Sequence, residues 1–343
     1  MAAKPEKPRY QVQDIRNATK GVRPDDIIVA FMGETGSGKS HFIDLLTGQK
    51  GRRAQNSANS VTQNIEATRI LPDDGKSGNT RFTIQEDVLR TLQGRSIVLV
   101  DTPGFDDSTR SDYQILCLIN DWLKETYQRE VKLSGLVYLH RITHNRMAGT
   151  PHKNLRMFAK LCGDIAMTQV ILVTTFWERG DARTAGQGRV KELMDIYWKP
   201  LLDRGSSVDA LKTATPAEAW RIITALIGKR VKESERVLLQ EEIVDKKIAL
   251  NETEAGQALY SNYQKQLAAR KKNLAKLRKD LEVSKDKDLK SRLEAEIKVA
   301  EQEFNKTFQE SNALKRSLIE RIISLLSGRK TQARAVNVAD ATN

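Results

Sequence analysis

Short runs of unbroken apolar residues alternate with amphipathic stretches over the first two thirds of the chain. The runs lie at 26–32 (DIIVAFM), 96–101 (SIVLVD), 133–140 (LSGLVYLH) and 169–175 (QVILVTT), with a weaker one at 206–211 (SSVDAL). A run that is apolar at every position predicts a strand buried on both faces, as in a parallel sheet. Between the runs, 111–127 and 190–203 carry apolar residues at helical spacing. Strands and helices in alternation predict an α/β doubly wound domain.

The period changes at about residue 231. Leu259, Tyr263, Leu267, Leu274, Leu277 and Leu281 recur at one-face helical spacing, and so do Leu289, Leu293, Ile297, Phe304 and Phe308. Leu318, Ile322 and Leu325 extend the second stripe. Such stripes suit coiled-coil helices. The intervening SKDKD at 284–288 has no large apolar residue, so it predicts a turn and an antiparallel helical hairpin over 250–327. One continuous rod is the competing arrangement. All eight prolines lie at or before Pro216, which agrees with an uninterrupted helical end. The pattern divides the chain into an N-terminal arm (1–24), an α/β domain (25–230), a helical coiled-coil region (231–327) and an aperiodic tail (328–343) that is expected to be disordered.

Composition narrows the classes. The net charge is +13, yet the excess is spread along the chain and its densest knot, RKKNLAKLRK at 270–279, has no interleaved aromatic residue to stack bases. Nucleic acid is therefore not the expected partner. A solvated helix face is the plain reading of that knot, with an acidic partner or weak contact to an anionic membrane surface as the other. The longest apolar run, Ile27 to Met32, is far too short to cross a bilayer. The first ten residues lack an apolar signal core. Cys117 and Cys162 sit in apolar helical patterns without metal spacing, so they read as small core residues in a reducing, cytoplasmic setting.

The strongest chemical signal is GETGSGKS, Gly33 to Ser40, between the first buried strand and the helical HFIDLLTG. It satisfies the spacing of a phosphate-binding loop. Gly33, Gly36 and Gly38 permit a tight wrap, so that the backbone of Glu34, Thr35 and Ser37 can turn N–H groups toward phosphate oxygens. The helix opening at Lys39 adds its positive end. Lys39 supplies a mobile ammonium, the Ser40 hydroxyl suits Mg²⁺, and His41 can lend its backbone N–H to the innermost phosphate.

The second signal is VDTPGFDD at 100–107. Asp101, leaving a buried strand about 60 residues after the phosphate loop, can reach Mg²⁺ through a water, and the Gly104 N–H can sense a terminal phosphate. Thr102 follows Asp101 where an ATPase with a coiled-coil rod would carry a second acid. Between the two motifs, the polar loop before "IEATRI" offers Thr62 as the mobile residue that closes on Mg²⁺ and the terminal phosphate, with Thr68 as the second option.

The phosphate loop and DTPG together resemble the GTPases of the translation-factor class. That resemblance implies an Asn-Lys-x-Asp at the end of a later strand, where this chain has TTFWE at 174–178. Aligned there, Thr175 replaces Asn and Glu178 replaces Asp, keeping a carboxylate for the N1–H and exocyclic amine of guanine. Trp177 or Phe176 would lie against the base, with a core position for Trp177 as the alternative. YLHRITHNRM at 138–147 resembles an extra box of the septin, immunity-associated and chloroplast-import-receptor GTPases, through Arg141 and Thr143. Together with NLRMFAKLCGD, these segments look closest to a group of fungal G-domain proteins allied to the immunity-associated GTPases. The resemblance spans about residues 26–230 and implies GTP/GDP binding with Mg²⁺ and nucleotide-dependent homodimers. It also places Arg141 at the dimer face as a catalytic residue reaching the partner's phosphates, with His144 and Arg146 beside it. His41, His140 and His152 show no metal spacing.

Two function classes follow. One is a slow GTPase switch that dimerises when loaded and presents the coiled coil to a protein partner. The other is a nucleotide-binding scaffold with vestigial hydrolysis, and TTFW keeps an ATP-using enzyme as a third reading. Phe105 stands where many GTPases carry the glutamine that orients the attacking water, which predicts slow hydrolysis.

Overall fold

The structure, a computed structural model, describes residues 9–49, 51, 64–72, 81–83, 85–107, 109–144, 150–228 and 237–326. The expectation for the tail at 328–343 lies outside them. The chain divides into two units, residues 1–248 with 253–259, and residues 249–252 with 260–343.

In the first unit the described residues form one eight-stranded sheet. Its strands are β1 (Arg9–Ile15), β2 (Ile27–Gly33), β3 (Glu66–Pro72), β4 (Arg81–Thr83), β5 (Ile97–Asp101), β6 (Gly135–Arg141), β7 (Val170–Thr175) and β8 (Ser207–Ala210), in the order β4-β1-β3-β5-β2-β6-β7-β8. β2, β5, β6, β7 and β8 are parallel, whereas β1 and β3 run antiparallel to their neighbours. Every residue of β2 and β7 is buried, as their unbroken apolar runs require.

The helices of this unit are α1 (Lys39–Thr47), α2 (Glu86–Leu92), α3 (Asp112–Tyr127), α4 (Thr150–Cys162), α5 (Ala182–Glu192), α6 (Lys199–Leu202), α7 (Pro216–Gly228) and α8 (Leu238–Gln240). One face carries α1, α2 and α7, with Phe42, Leu46, Val88, Trp220 and Ile223 packed on Phe31, Val137 and Val173. Tyr138 projects from β6 to the opposite face and meets Phe158 of α4 at 4.8 Å between ring centres. The fold is therefore α/β and doubly wound, as the alternating pattern predicts.

The sheet also recruits a segment assigned above to an arm. Arg9–Ile15 is strand β1, and its residues pair from Tyr10 opposite Pro72 to Ile15 opposite Ala67. Nearby, the buried Arg69 guanidinium pairs with Asp26 at 2.6 Å and also donates to the Gly21 carbonyl at 2.8 Å, tying β3 to the segment that enters β2. At the other end, the first unit continues past residue 230, through Ile248 and again over Thr253–Leu259.

The C-terminal helices are α9 (Glu254–Val283) and α10 (Lys287–Leu326). They are separate helices, not one rod. The Asp286 carboxylate accepts from the N–H groups of Asp288 and Leu289, at 2.8 and 3.3 Å, and so caps α10. Gln264 bonds Ser311, Arg270 bonds Thr307, and Arg278 bonds Glu301. Rising numbers on α9 meet falling numbers on α10, which is the signature of an antiparallel hairpin.

Candidate functional site

The turn between β2 and α1 closes around its own lysine. Gly33, Gly36 and Gly38 all have positive φ, at 138°, 76° and 96°. A Cβ on Gly33 would lie 2.4 Å from the Leu139 carbonyl oxygen, so only glycine fits there. Lys39 is buried, and its Nζ donates to the carbonyls of Gly33 at 3.3 Å and Glu34 at 3.1 Å. Burial holds its ammonium below the usual range, with Asp101 and Glu34 opposing that shift. A lysine desolvated in this way gains strongly from a multiply charged anion placed in the loop. Ser37 is buried, whereas Thr35, Gly36 and His41 are exposed.

The DTPG segment folds directly onto this loop. The Ser40 hydroxyl donates to Asp101 Oδ2 at 2.6 Å. The Thr35 N–H donates to the Phe105 carbonyl at 3.0 Å, and the Thr102 hydroxyl to Phe31 at 2.7 Å. Gly104 is required by space, because a Cβ would come 2.6 Å from the Thr35 nitrogen. A serine hydroxyl and a carboxylate at this separation are hard oxygen donors, and that set fits Mg²⁺. Thr62 and Arg146 lie outside the described residues, as do residues 52–63 as a whole. Thr68 is buried within β3 and donates to Asp14 at 3.3 Å, which removes it as a mobile alternative.

At the end of β7 the expected roles are redistributed. Thr175 is buried and donates to the Ser37 carbonyl at 2.8 Å, so it braces the phosphate loop. Trp177, expected against a base, turns inward. Its indole packs on Gly186 and donates to the Thr174 hydroxyl at 3.0 Å, leaving 7% of the residue exposed. The ring beside the loop belongs to Phe176, which adopts a left-handed backbone at φ 63°. A Cβ on Gly38 would sit 3.5 Å from that ring. Left-handed geometry is costly for a bulky residue, and such strain concentrates at functional sites. The guanidinium groups of Arg141 and Arg179 lie 4.7 and 4.8 Å from the ring centre, within cation–π range. Glu178 follows on the exposed turn.

Two residues at this edge escaped the sequence reading, Arg179 and Lys212. β8 pairs with β7, and the Leu211 N–H reaches the Thr174 carbonyl at 2.9 Å, so the loop after β8 lies beside TTFWE. The Lys212 ammonium stands 5.8 Å from the centre of the Trp177 ring. The available signal was the polar LKTATP that follows the last apolar run.

The end of β6 completes the rim. Arg141, expected to reach across to a second copy, points its Nη1 over its own loop, 3.5 Å from where a Gly36 Cβ would stand. Thr143 and His144 follow in a turn. Glu34 is buried against two histidines, with its Oε1 3.1 Å from His144 Nδ1 and 3.6 Å from His140 Nδ1. Burial pushes the Glu34 carboxyl up, opposed by His144 and Arg141. Burial, aided by His144, pushes the His140 imidazole down to about 3, so this ring is neutral at neutral pH.

Residues 28–174 match the family model described as 50S ribosome-binding GTPase. No curated protein matches the chain. Among solved structures, Toc33 from Arabidopsis thaliana in complex with GDP and Mg²⁺ is 17% identical, with 62% of this chain and 88% of that chain covered at a TM-score of 0.45. A structure of the chloroplast translocon components atToc33 and psToc159, for whose GTPase activity dimerization is important, is 16% identical, covering 62% and 86% at 0.43. Translation elongation factor SelB from Methanococcus maripaludis, bound to a GTP analogue, is 13% identical, covering 63% and 36% at 0.37. Over residues 28–174 the chain is similar to the GTPases of that family, and the fold around its phosphate loop is that of a P-loop GTPase domain.

Proposed function

We propose that the protein is a guanine-nucleotide-binding switch that hydrolyses GTP slowly, pairs with a second copy when loaded, and offers its helical hairpin to a protein partner. The observation that carries this reading is the joined geometry of the two phosphate motifs. Lys39 is held inside its loop, Ser40 bonds Asp101, and Gly104 is pressed against Thr35. Ser40 and Asp101 would hold Mg²⁺, directly and through water, and the ion supplies charge neutralisation between the outer phosphates. Lys39 binds the outer phosphates, and the N–H groups of Gly36, Gly38, Lys39 and Ser40 line the loop. The carboxylate of Glu178 reads guanine, with Phe176, Arg179 and Lys212 forming the rest of the base-facing edge.

Slow turnover follows from Phe105. Its side chain is 1% exposed and its backbone bridges Glu34, so it neither donates nor accepts a hydrogen bond toward an attacking water. Turnover on the order of 10⁻³ s⁻¹ or below is expected of the isolated subunit, by analogy with unassisted switch GTPases. The likeness of 138–147 to the extra box of septin and immunity-associated GTPases supports pairing across the nucleotide face. Arg141 acts on the nucleotide of its own chain, a reading supported by its guanidinium lying over the Phe176 ring beside the phosphate loop.

Turnover per subunit, measured across the dimer dissociation constant, tests this reading, and it should rise as pairs form. Arg141→Ala should lower turnover below the dimer dissociation constant as well as above it, whereas a loss confined to the paired state would place Arg141 in the partner's site. Constant turnover over a hundredfold concentration range would favour the scaffold reading.

A further inference from the structure

Glu34, His140 and His144 come from places more than a hundred residues apart, the first turn of the phosphate loop and the end of β6. One ligand atom from each lies within 4.8 Å of the other two. The phosphate chemistry described above leaves all three side chains unused. The two distances from the carboxylate to the imidazoles suit a coordination sphere. Ligand atoms about 2.0–2.1 Å from a tetrahedral zinc ion stand about 3.3 Å from one another. The two Glu34–histidine separations, 3.1 and 3.6 Å, bracket that value.

The arrangement is also unsatisfied as it stands. Glu34 is 7% exposed, and neither its Oε1 nor His144 Nδ1 makes a hydrogen bond among the described residues, despite their 3.1 Å approach. Buried polar atoms without partners are rare and call for one. A cation between them would partner both and would replace the solvation that the carboxylate loses on burial. Two imidazoles and one carboxylate select a borderline metal such as Zn²⁺ over Mg²⁺, which takes oxygen. His140 is fixed by the ring of Trp198, 6.1 Å away and edge-on, while His144 is 34% exposed and leaves an entry path.

We propose that Glu34, His140 and His144 form a Zn²⁺ site with an open fourth position, separate from the Mg²⁺ position at Ser40 and Asp101. The ion would pin the first turn of the phosphate loop to the end of β6. Glu34 also gives its carbonyl to Lys39, so occupancy would restrain the lysine that meets the phosphates.

The test uses the full-length, untagged protein with Co²⁺ as a visible probe and Zn²⁺ as its competitor, in excess Mg²⁺. One Co²⁺ per chain, with the strong visible absorption of a tetrahedral site and displacement by Zn²⁺, is expected. His144→Ala changes a partly exposed side chain and should keep the native melting curve while weakening Co²⁺ binding at least about a hundredfold. Glu34→Gln should weaken it comparably, and His152→Ala should leave it unchanged. An absent visible band in the wild type, displacement of the probe by Mg²⁺, or equal binding by His144→Ala would overturn the proposal.

Discussion

Thr175, Phe176 and Trp177 are consecutive, and their side chains do three different things. Thr175 holds the Ser37 carbonyl, so Thr175→Val should weaken every nucleotide about equally, by roughly fivefold, since one buried hydrogen bond contributes about 1 kcal/mol. Equilibrium titration with GDP and ADP checks this. Trp177 fills the core, so Trp177→Ala should cost about 3–5 kcal/mol of stability. Phe176→Ala should lower nucleotide affinity with a much smaller change in a denaturant melt. The two thiols give a further check. Burial pushes Cys117 up to about 11 and raises Cys162 as well, so neither should react with a disulfide reagent in the native protein at neutral pH, and both should react after unfolding. The meeting of Lys39, Ser40 and Asp101 was legible, because motif spacing along one strand and one turn fixes their geometry. Which of Phe176 and Trp177 faces the loop was not, because it depends on one left-handed residue. The Glu34–His140–His144 cluster was hidden for a different reason. Its spacing exists only after β2 and β6 pair, and histidines read one at a time show no ligand pattern.

The central strands were legible because burial on both faces leaves an unbroken apolar run. β1 was not, because RYQVQDI lies toward the antiparallel side of the sheet and mixes polar with apolar residues. Its pairing with β3 predicts that deletion of Arg9–Ile15 should destabilise the whole α/β unit, as a lower denaturant midpoint, and should not merely remove a tail. The hairpin was legible in the helical stripes and in the apolar gap at SKDKD. Nitroxides at Lys265 and Glu310, on α9 and α10 near the Gln264–Ser311 bond, should lie within about 20 Å of one another in one chain. A continuous rod would hold them near 68 Å, from about 1.5 Å of rise per residue. The stripe is only partly covered. Leu289 and Phe308 remain 47% and 49% exposed, which is why the hairpin is the surface proposed for a protein partner.

At the scale of the molecule, a P-loop GTPase domain is followed by a helical hairpin that carries the basic knot at 270–279. No helix among the described residues is long and apolar enough to cross a membrane. If the hairpin touches an anionic surface weakly, binding to acidic vesicles should disappear as salt rises, since screening shortens the reach of exposed charges to about 8 Å near physiological ionic strength. Function turns on the nucleotide and on how its base is read, because TTFWE departs from the usual guanine-reading letters while keeping a carboxylate at Glu178. Calorimetric titration of the purified, nucleotide-free chain with GTP and with ATP, both with Mg²⁺, tests this most directly. GTP should bind at least about tenfold more tightly than ATP, a difference near 1.4 kcal/mol. Lys39→Ala should abolish both, and Glu178→Ala should erase the preference. ATP binding as tight as GTP binding, or a preference indifferent to Glu178, would contradict the account.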